Sequence, residues 1–240
     1  MTKRDGKSQR EGADEDGAAF AGIEAWVFDL DNTLYPAACD LFGQVSRRMT
    51  RFVADRLDLD LAAAHAVQKD YFRTYGTTLR GMMIHHDVDP RDYLGFVHDI
   101  DLTVVPPAPG LDAALARLPG RKVIFTNGSV AHATRVMERL GVAGHFDGIF
   151  DIVAGDYIPK PNPDTYRAMA GRFGIAPGRA VMIDDIPANL EPAAALGMTT
   201  VWVRTETEYA GIGEIGDHVH HVADDLTGWL AGAADGIAAR

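Results

Sequence analysis

The sequence predicts an α/β fold, a doubly wound parallel sheet with a small helical domain inserted after the first strand. Three observations lead there. Short apolar runs stand at residues 23–28, 122–125, 148–153, 180–183 and 199–203. Segments with helical spacing and recognisable ends lie between most of them, and strand–helix alternation of this kind builds a parallel sheet covered on both faces. Between Pro36 and about Val105, however, no convincing buried strand occurs, and the apolar residues recur at helical spacing instead.

Taken in order, residues 1–20 are charged, contain glycine and are poor in apolar side chains, which predicts a disordered tail. The core domain then comprises residues 21–36 and 105–240, and the inserted helical domain residues 37–104. Inside the insertion, Leu41, Val45, Met49, Phe52 and Leu57 mark one helix, and Asp89-Pro90 opens another that ends near Ile100. "VVPPAPG" at 104–110 reads as its proline-rich return link. After the second strand, Ser129 caps a helix that runs to Leu140 and stops at Gly141. Pro163 opens the next, which ends at Gly174.

Composition narrows the function. The chain of 240 residues carries 34 acidic and 23 basic side chains, a formal charge of −11, which argues against a nucleic acid or an anionic membrane as partner. A small anionic substrate stays open, because a metal ion and one lysine reverse the field locally. Cys39 is the only cysteine, so no internal disulfide can form and a reducing, cytoplasmic location is expected. No apolar run approaches the roughly 18 residues of a membrane span, and the N-terminus lacks the apolar stretch of a signal peptide. Monomer and homodimer are both compatible with this composition.

The chemistry gathers where the strands end, which in open parallel sheets is where ligands bind. "VFDLDNTLYP" at 27–36 places Asp29 and Asp31 at the exit of the first strand. Two like charges that close are tolerated only when something offsets their repulsion. The second strand ends in Thr126-Asn127-Gly128, polar donors ahead of a helix N-terminus. "PKPNPD" then supplies Lys160 between prolines, and "IDDIPAN" supplies Asp184 and Asp185. Together they suit phosphoryl transfer. One carboxylate attacks phosphorus and a second exchanges the proton. Mg²⁺ and the lysine neutralise charge, and the Thr/Asn donors orient phosphoryl oxygens.

At these residues the chain resembles the haloacid dehalogenase superfamily. "DLDNT" matches its D-x-D-x-T signature, and "FTNG", Lys160 in "KPNPD" and "MIDDIPAN" match its other three motifs in order, over about residues 22–205. The resemblance implies a Rossmann-like core with a helical cap. It implies that Asp29 is the nucleophile and a metal ligand, and that Asp31 is the general acid/base and binds metal through its carbonyl oxygen. Thr126 and Asn127 would bind the phosphoryl group, Lys160 would steady nucleophile and phosphate, and Asp184, helped by Asp185, would hold Mg²⁺. Many members carry an aspartate where this chain has Asn189, so Asn189 is not expected to be a ligand.

"YGTTLRGMM" (75–83), read as a loop offering Arg80, and "DPRDYLGFVHDID" (89–101), read as a capped helix, look like the pyrimidine 5′-nucleotidase branch. The expected substrate is a small phosphorylated metabolite, a pyrimidine nucleoside 5′-monophosphate first, with phosphoglycolate or a sugar phosphate as the alternative. A 2-haloacid dehalogenase is disfavoured, because that chemistry needs neither Asp31 nor the Asp184/Asp185 pair. Weaker signals have plainer readings. "GIGEIG" at 211–216 is a loop, "HVHH" at 218–221 an exposed strand, and His85, His86 and Asp87 surface residues rather than a zinc site. Ser129 is a cap rather than a nucleophile, and Cys39 a packed thiol.

Overall fold

The computed structural model describes residues 20, 22–207 and 215–239. Residues 1–19 of the tail expected over 1–20, and residues 211–214 of the glycine loop at 211–216, lie outside the described residues. Phe20 does not belong with that tail. Its ring is 1% exposed and packs against Trp26, His221 and Trp229, because an aromatic side chain that size gains most by covering the sheet.

Among the described residues, six strands form one sheet in the order β3-β2-β1-β4-β5-β6, every neighbouring pair parallel. They are β1 (Ala25–Phe28), β2 (Arg121–Phe125), β3 (Gly148–Phe150), β4 (Ala180–Asp184), β5 (Thr199–Val203) and β6 (His221–Ala223). β1 and β4 are buried throughout, as strands covered on both faces must be, which is why they read as continuous apolar runs. Alternate side chains serve two cores. Trp26, Phe28, Ile124, Ile183 and Val201 face α5 (Pro109–Arg117), α6 (Val130–Leu140) and α9 (Leu226–Ala238). Val27, Val123, Phe125, Met182 and Trp202 face α7 (Pro163–Phe173) and α8 (Pro187–Ala195).

Between β1 and β2 the chain makes four further helices, α1 (Leu41–Leu57), α2 (Leu61–Tyr75), α3 (Thr78–His86) and α4 (Pro90–Val97). They close around an apolar cluster of their own, formed by Val45, Val53, Ala64, Met82, Tyr93 and Val97 among others. Among the described residues, Ile152 in the loop after β3 is its one buried member from outside residues 37–104.

The structure departs from the sequence expectations at element ends. The stretch 75–83, expected as a loop, is mostly α3, capped by the Thr77 side chain on the Arg80 N–H. Gly81, which suggested a loop, is there because any Cβ would collide with the Tyr71 ring where α3 crosses α2. The link at 104–110 is shorter than expected, since Pro109 is the first residue of α5, a position where its missing N–H costs nothing. β3 stops at Phe150 rather than 153, because the Asp151 carboxylate accepts from Val130 N at 3.0 Å and Ala154 N at 2.9 Å and turns the chain. Of "HVHH", only His221 is in a strand.

Candidate active site

Register brings the strand ends level. Phe28 lies opposite Ile124 and Ile183, so the residues leaving β1, β2 and β4 emerge along one rim. Asp29 keeps one last sheet bond, its N–H donating to Ile183 O at 2.8 Å. The backbone then turns at Asn32, whose φ of 60° lies in the left-handed region that asparagine tolerates. Leu30 is fully buried in the turn, and the carboxylates either side of it go to different partners.

Lys160 ties three loops together. Its Nζ donates to Asp29 Oδ1 and to Asp184 Oδ2, each at 2.7 Å, with the lysine side chain 1% exposed. Asn127 holds the lysine's backbone from both sides, accepting its N–H at 2.8 Å and donating to its carbonyl at 3.3 Å. Asp184 also accepts from Ile186 N and from Asn189 Nδ2, both at 2.9 Å. Thr126 Oγ1 accepts the Gly128 N–H at 2.9 Å, which leaves its own O–H as a donor.

The charges do not balance. Ligand oxygens of Asp29, Asp184 and Asp185 lie within 4.8 Å of one another, with one ammonium between them. Burial, opposed by Lys160 but reinforced by Asp184, pushes Asp29 up to about 7. Burial and the charges of Asp184 and Asp29 push Asp185 well above the ordinary carboxylate value. The Lys160 pKa is raised as well: burial would discharge the ammonium, but the Asp184 and Asp29 carboxylates outweigh it and keep it charged. Asp185 Oδ2 is buried with no hydrogen-bond partner. An orphaned acceptor among carboxylates is what a hard, oxygen-seeking cation satisfies, so the donor set fits Mg²⁺.

Asp31 is bound separately. Tyr35 O–H donates to its Oδ1 at 2.6 Å and His132 Nε2 approaches the same oxygen at 2.8 Å. Burial alone would raise this carboxyl, but the His132 ring and the bonds from His132 and Tyr35 hold it below its usual value.

Above the rim lies a cavity of about 110 Å³, floored by Asp29, Asp31, Thr126, Lys160 and Asp185 and roofed by helical-layer side chains such as Met49, Leu79, Leu94 and Val97. Residues 23–197 match the haloacid dehalogenase-like hydrolase family. The chain belongs to that family.

This chain is 27% identical over 193 residues to phosphate metabolism protein 8 of Saccharomyces cerevisiae, across 73% of its own length but only 60% of the yeast protein. It is 27% identical over 201 residues to a phosphoglycolate phosphatase of Rhodospirillum rubrum, across 74% of this chain and 78% of the relative. Its fold superposes on CbbY of Rhodobacter sphaeroides bound to phosphate with a TM-score of 0.59 at 21% identity, over 88% of this chain and 99% of that one. Among the described residues no helix of the hydrolase is long and apolar enough to cross a membrane.

The structure gathers Asp29, Asp31, Thr126, Asn127, Lys160 and Asp185 on one cavity, with Asp184 directly beneath through Lys160. Arg80 is not among them. It lines a neighbouring groove with Tyr75, Pro159 and Asn162, although Thr77, Thr78 and Leu79 reach the cavity itself. Sequence reasoning missed Tyr35, His98 and His132. The available signal was His132 three residues past a helix-capping serine, one turn into a helix that starts at the rim.

Proposed function

We propose that this hydrolase is a Mg²⁺-dependent phosphomonoesterase working through an aspartyl phosphate on Asp29. The observation that carries it is Lys160 Nζ, 2.7 Å from both Asp29 and Asp184, beside the partnerless Asp185 Oδ2. An Asp29 oxygen attacks phosphorus while the bond to the ester oxygen breaks, and Asp31 gives that oxygen its proton. In the second half, Asp31 takes a proton from water as the water oxygen attacks phosphorus and Asp29 leaves. Asp29, Asp184, Asp185 and the Asp31 carbonyl would hold the metal, which when bound neutralises charge on nucleophile and phosphate. Lys160 keeps Asp29 aimed, Asn127 keeps Lys160 in place, and Thr126 offers its O–H to a phosphoryl oxygen. We assign residues 37–104 the role of a cap that excludes water and contacts the leaving group.

Two substrate classes follow from different observations. Resemblance of the helical insertion to pyrimidine 5′-nucleotidases favours UMP and CMP. A cavity of about 110 Å³ favours a smaller ester such as phosphoglycolate or a sugar phosphate, since sites for drug-sized ligands span roughly 300–1,000 Å³. The phosphoglycolate phosphatase relative supports the smaller class. A nucleoside would need the helical layer to move aside. Phosphate release from a panel of both classes, with trapping of labelled phosphate on Asp29, tests the proposal. Turnover without any phosphoenzyme, or unchanged turnover in Asp29→Asn, would overturn it.

A further inference from the structure

We propose that Tyr35 and His132 are positioning residues that reserve Asp31 Oδ2 for proton transfer, and that His98 makes this arrangement depend on the helical layer being seated on the sheet. The inference rests on Asp31 being the general acid/base. Both donors end on the same oxygen, Tyr35 O–H at 2.6 Å and His132 Nε2 at 2.8 Å, and Oδ2 takes neither. Both bonds favour the ionised carboxylate, and when Asp31 does take up a proton it does so on the oxygen that accepts neither. Oδ2 therefore gives the proton to the ester oxygen as the P–O bond breaks, and receives one from water as the new P–O bond forms.

The ring that makes this choice is fixed on every side. His132 is 1% exposed in the first turn of α6, its N–H bonded to the Ser129 hydroxyl at 3.3 Å. Its Nδ1 is buried without a partner, and Nε2 bears the hydrogen toward Asp31 because an unprotonated carboxylate oxygen at 2.8 Å can only accept. His98, which follows α4 in the helical layer, stacks on it with centroids 4.3 Å apart and planes 7° from parallel. Ser129 Oγ also meets His98 Nδ1 at 3.1 Å, and Arg135 Nη1 donates to the His98 carbonyl at 3.1 Å. One serine thus caps the helix that carries His132 and anchors the ring laid over it. A Cβ at Gly128 would stand 3.2 Å from Thr126 Oγ1 and 3.3 Å from His132 Cδ2, so a side chain there would press on the ring.

Lifting the helical layer removes His98 from the stack, so Asp31 is fully positioned only when the cavity is closed and water is out. That couples closure to proton transfer through an identified contact between the two layers.

Leaving groups of different quality separate this from a merely structural role. An alkyl phosphate needs the proton from Asp31 to depart; p-nitrophenyl phosphate does not, although breakdown of its phosphoenzyme still needs the base. For Tyr35→Phe and His132→Gln we expect kcat on the best alkyl phosphate of the panel to fall by about tenfold or more, with KM within about twofold. With p-nitrophenyl phosphate the same variants should accumulate labelled Asp29 phosphoenzyme. His132→Ala should fall further than His132→Gln, which keeps an N–H donor, and His98→Ala should show the same pattern more weakly. Tyr35→Phe deletes one oxygen, so it carries the test even where a histidine variant melts early. Equal losses on both leaving groups without phosphoenzyme, or wild-type kcat in Tyr35→Phe and His132→Gln while Asp31→Asn is dead, would overturn the proposal. Activity surviving in Asp31→Asn would instead overturn the acid/base role beneath it.

Discussion

On the sheet rim, side chains are held by several bonds apiece. Lys160 reaches two carboxylates, Asp184 accepts from three donors, and Asn127 grips the backbone of one residue from both sides. A few ångströms away, the helical layer meets the same cavity with Met49, Leu79, Leu94 and Val97, which pack by shape and area rather than direction. Directional bonds fix atoms to within the tolerance that bond making needs. Apolar packing tolerates exchange of similar volumes, so a roof can be retuned without disturbing the floor. The difference teaches a division of labour: changes to the rim should strike kcat and stability, and changes to the roof should strike KM and substrate choice.

The largest break comes from the nucleophile. Asp29→Asn should lower kcat/KM on the order of 10³-fold or more while the protein still folds, as judged by its melting curve. Chelation should match it. EDTA should abolish turnover and Mg²⁺ restore it, and in the absence of substrate Mg²⁺ should raise the melting temperature in proportion to the logarithm of its concentration. Turnover that survives exhaustive chelation would break the comparison at its base.

Lys160→Met should come next. It leaves Asp29 and Asp184 facing each other without the ammonium between them, and removing one partner of a buried pair costs about 3–5 kcal/mol. Urea unfolding without Mg²⁺ measures it. A roof substitution such as Leu94→Ala should leave turnover of a small ester far less affected, even though it opens space in the apolar cluster.

His98 stands where the two regions touch, stacked on His132. Burial, followed by the neighbouring His132 ring, presses its pKa down to about 3; Asp31 favours its charge and Arg135 opposes it. The folded state thus prefers the neutral ring, so this group costs nothing above the ordinary histidine value near 6.5 and loses stability as pH falls from there toward 3. Between pH 7 and pH 4.5, wild type should lose about 2 kcal/mol more than His98→Asn. Denaturant melts at the two pH values give the difference, and parallel curves for the two proteins would place His98 outside the buried contact.

The same division explains what could be read in advance. Asp29 and Asp31 follow β1 and Asp184 ends β4, strands with plain apolar runs, while Lys160 lies in the loop beyond the short β3 and was read from its flanking prolines; these are the residue types the proposed phosphoryl transfer needs. The parallel sheet was legible for the same reason, because burial on both faces leaves a continuous apolar signature. Tyr35 and His132 were not, since a tyrosine in a turn and a histidine on a helix carry no spacing signal until the fold brings them to one carboxylate. His98 is harder still, 34 residues from the partner it covers. α3 was misread because Gly81, placed by contact with Tyr71, looks like a loop residue in one dimension.

The smallest expected effect tests the roof at its margin. Arg80 was singled out as a substrate contact, yet it faces the groove beside Pro159 and Asn162 rather than the cavity over Asp29. That placement makes Arg80→Ala a ruler for substrate size. An ester held wholly within the cavity over Asp29 never reaches the groove, so its KM and kcat should stay within about twofold of wild type. A nucleoside monophosphate anchored at Asp29 has to extend beyond that cavity, and the groove shares Phe72, Asn127 and Lys160 with it. With UMP as substrate, Arg80→Ala should therefore raise KM several-fold while kcat holds, about 1 kcal/mol of uniform binding lost. If UMP is turned over and the substitution leaves its KM untouched, the base lies elsewhere under the roof and Arg80 has no part in recognition. If phosphoglycolate or a sugar phosphate outruns every nucleotide, the closed cavity sets the substrate and the groove is only surface.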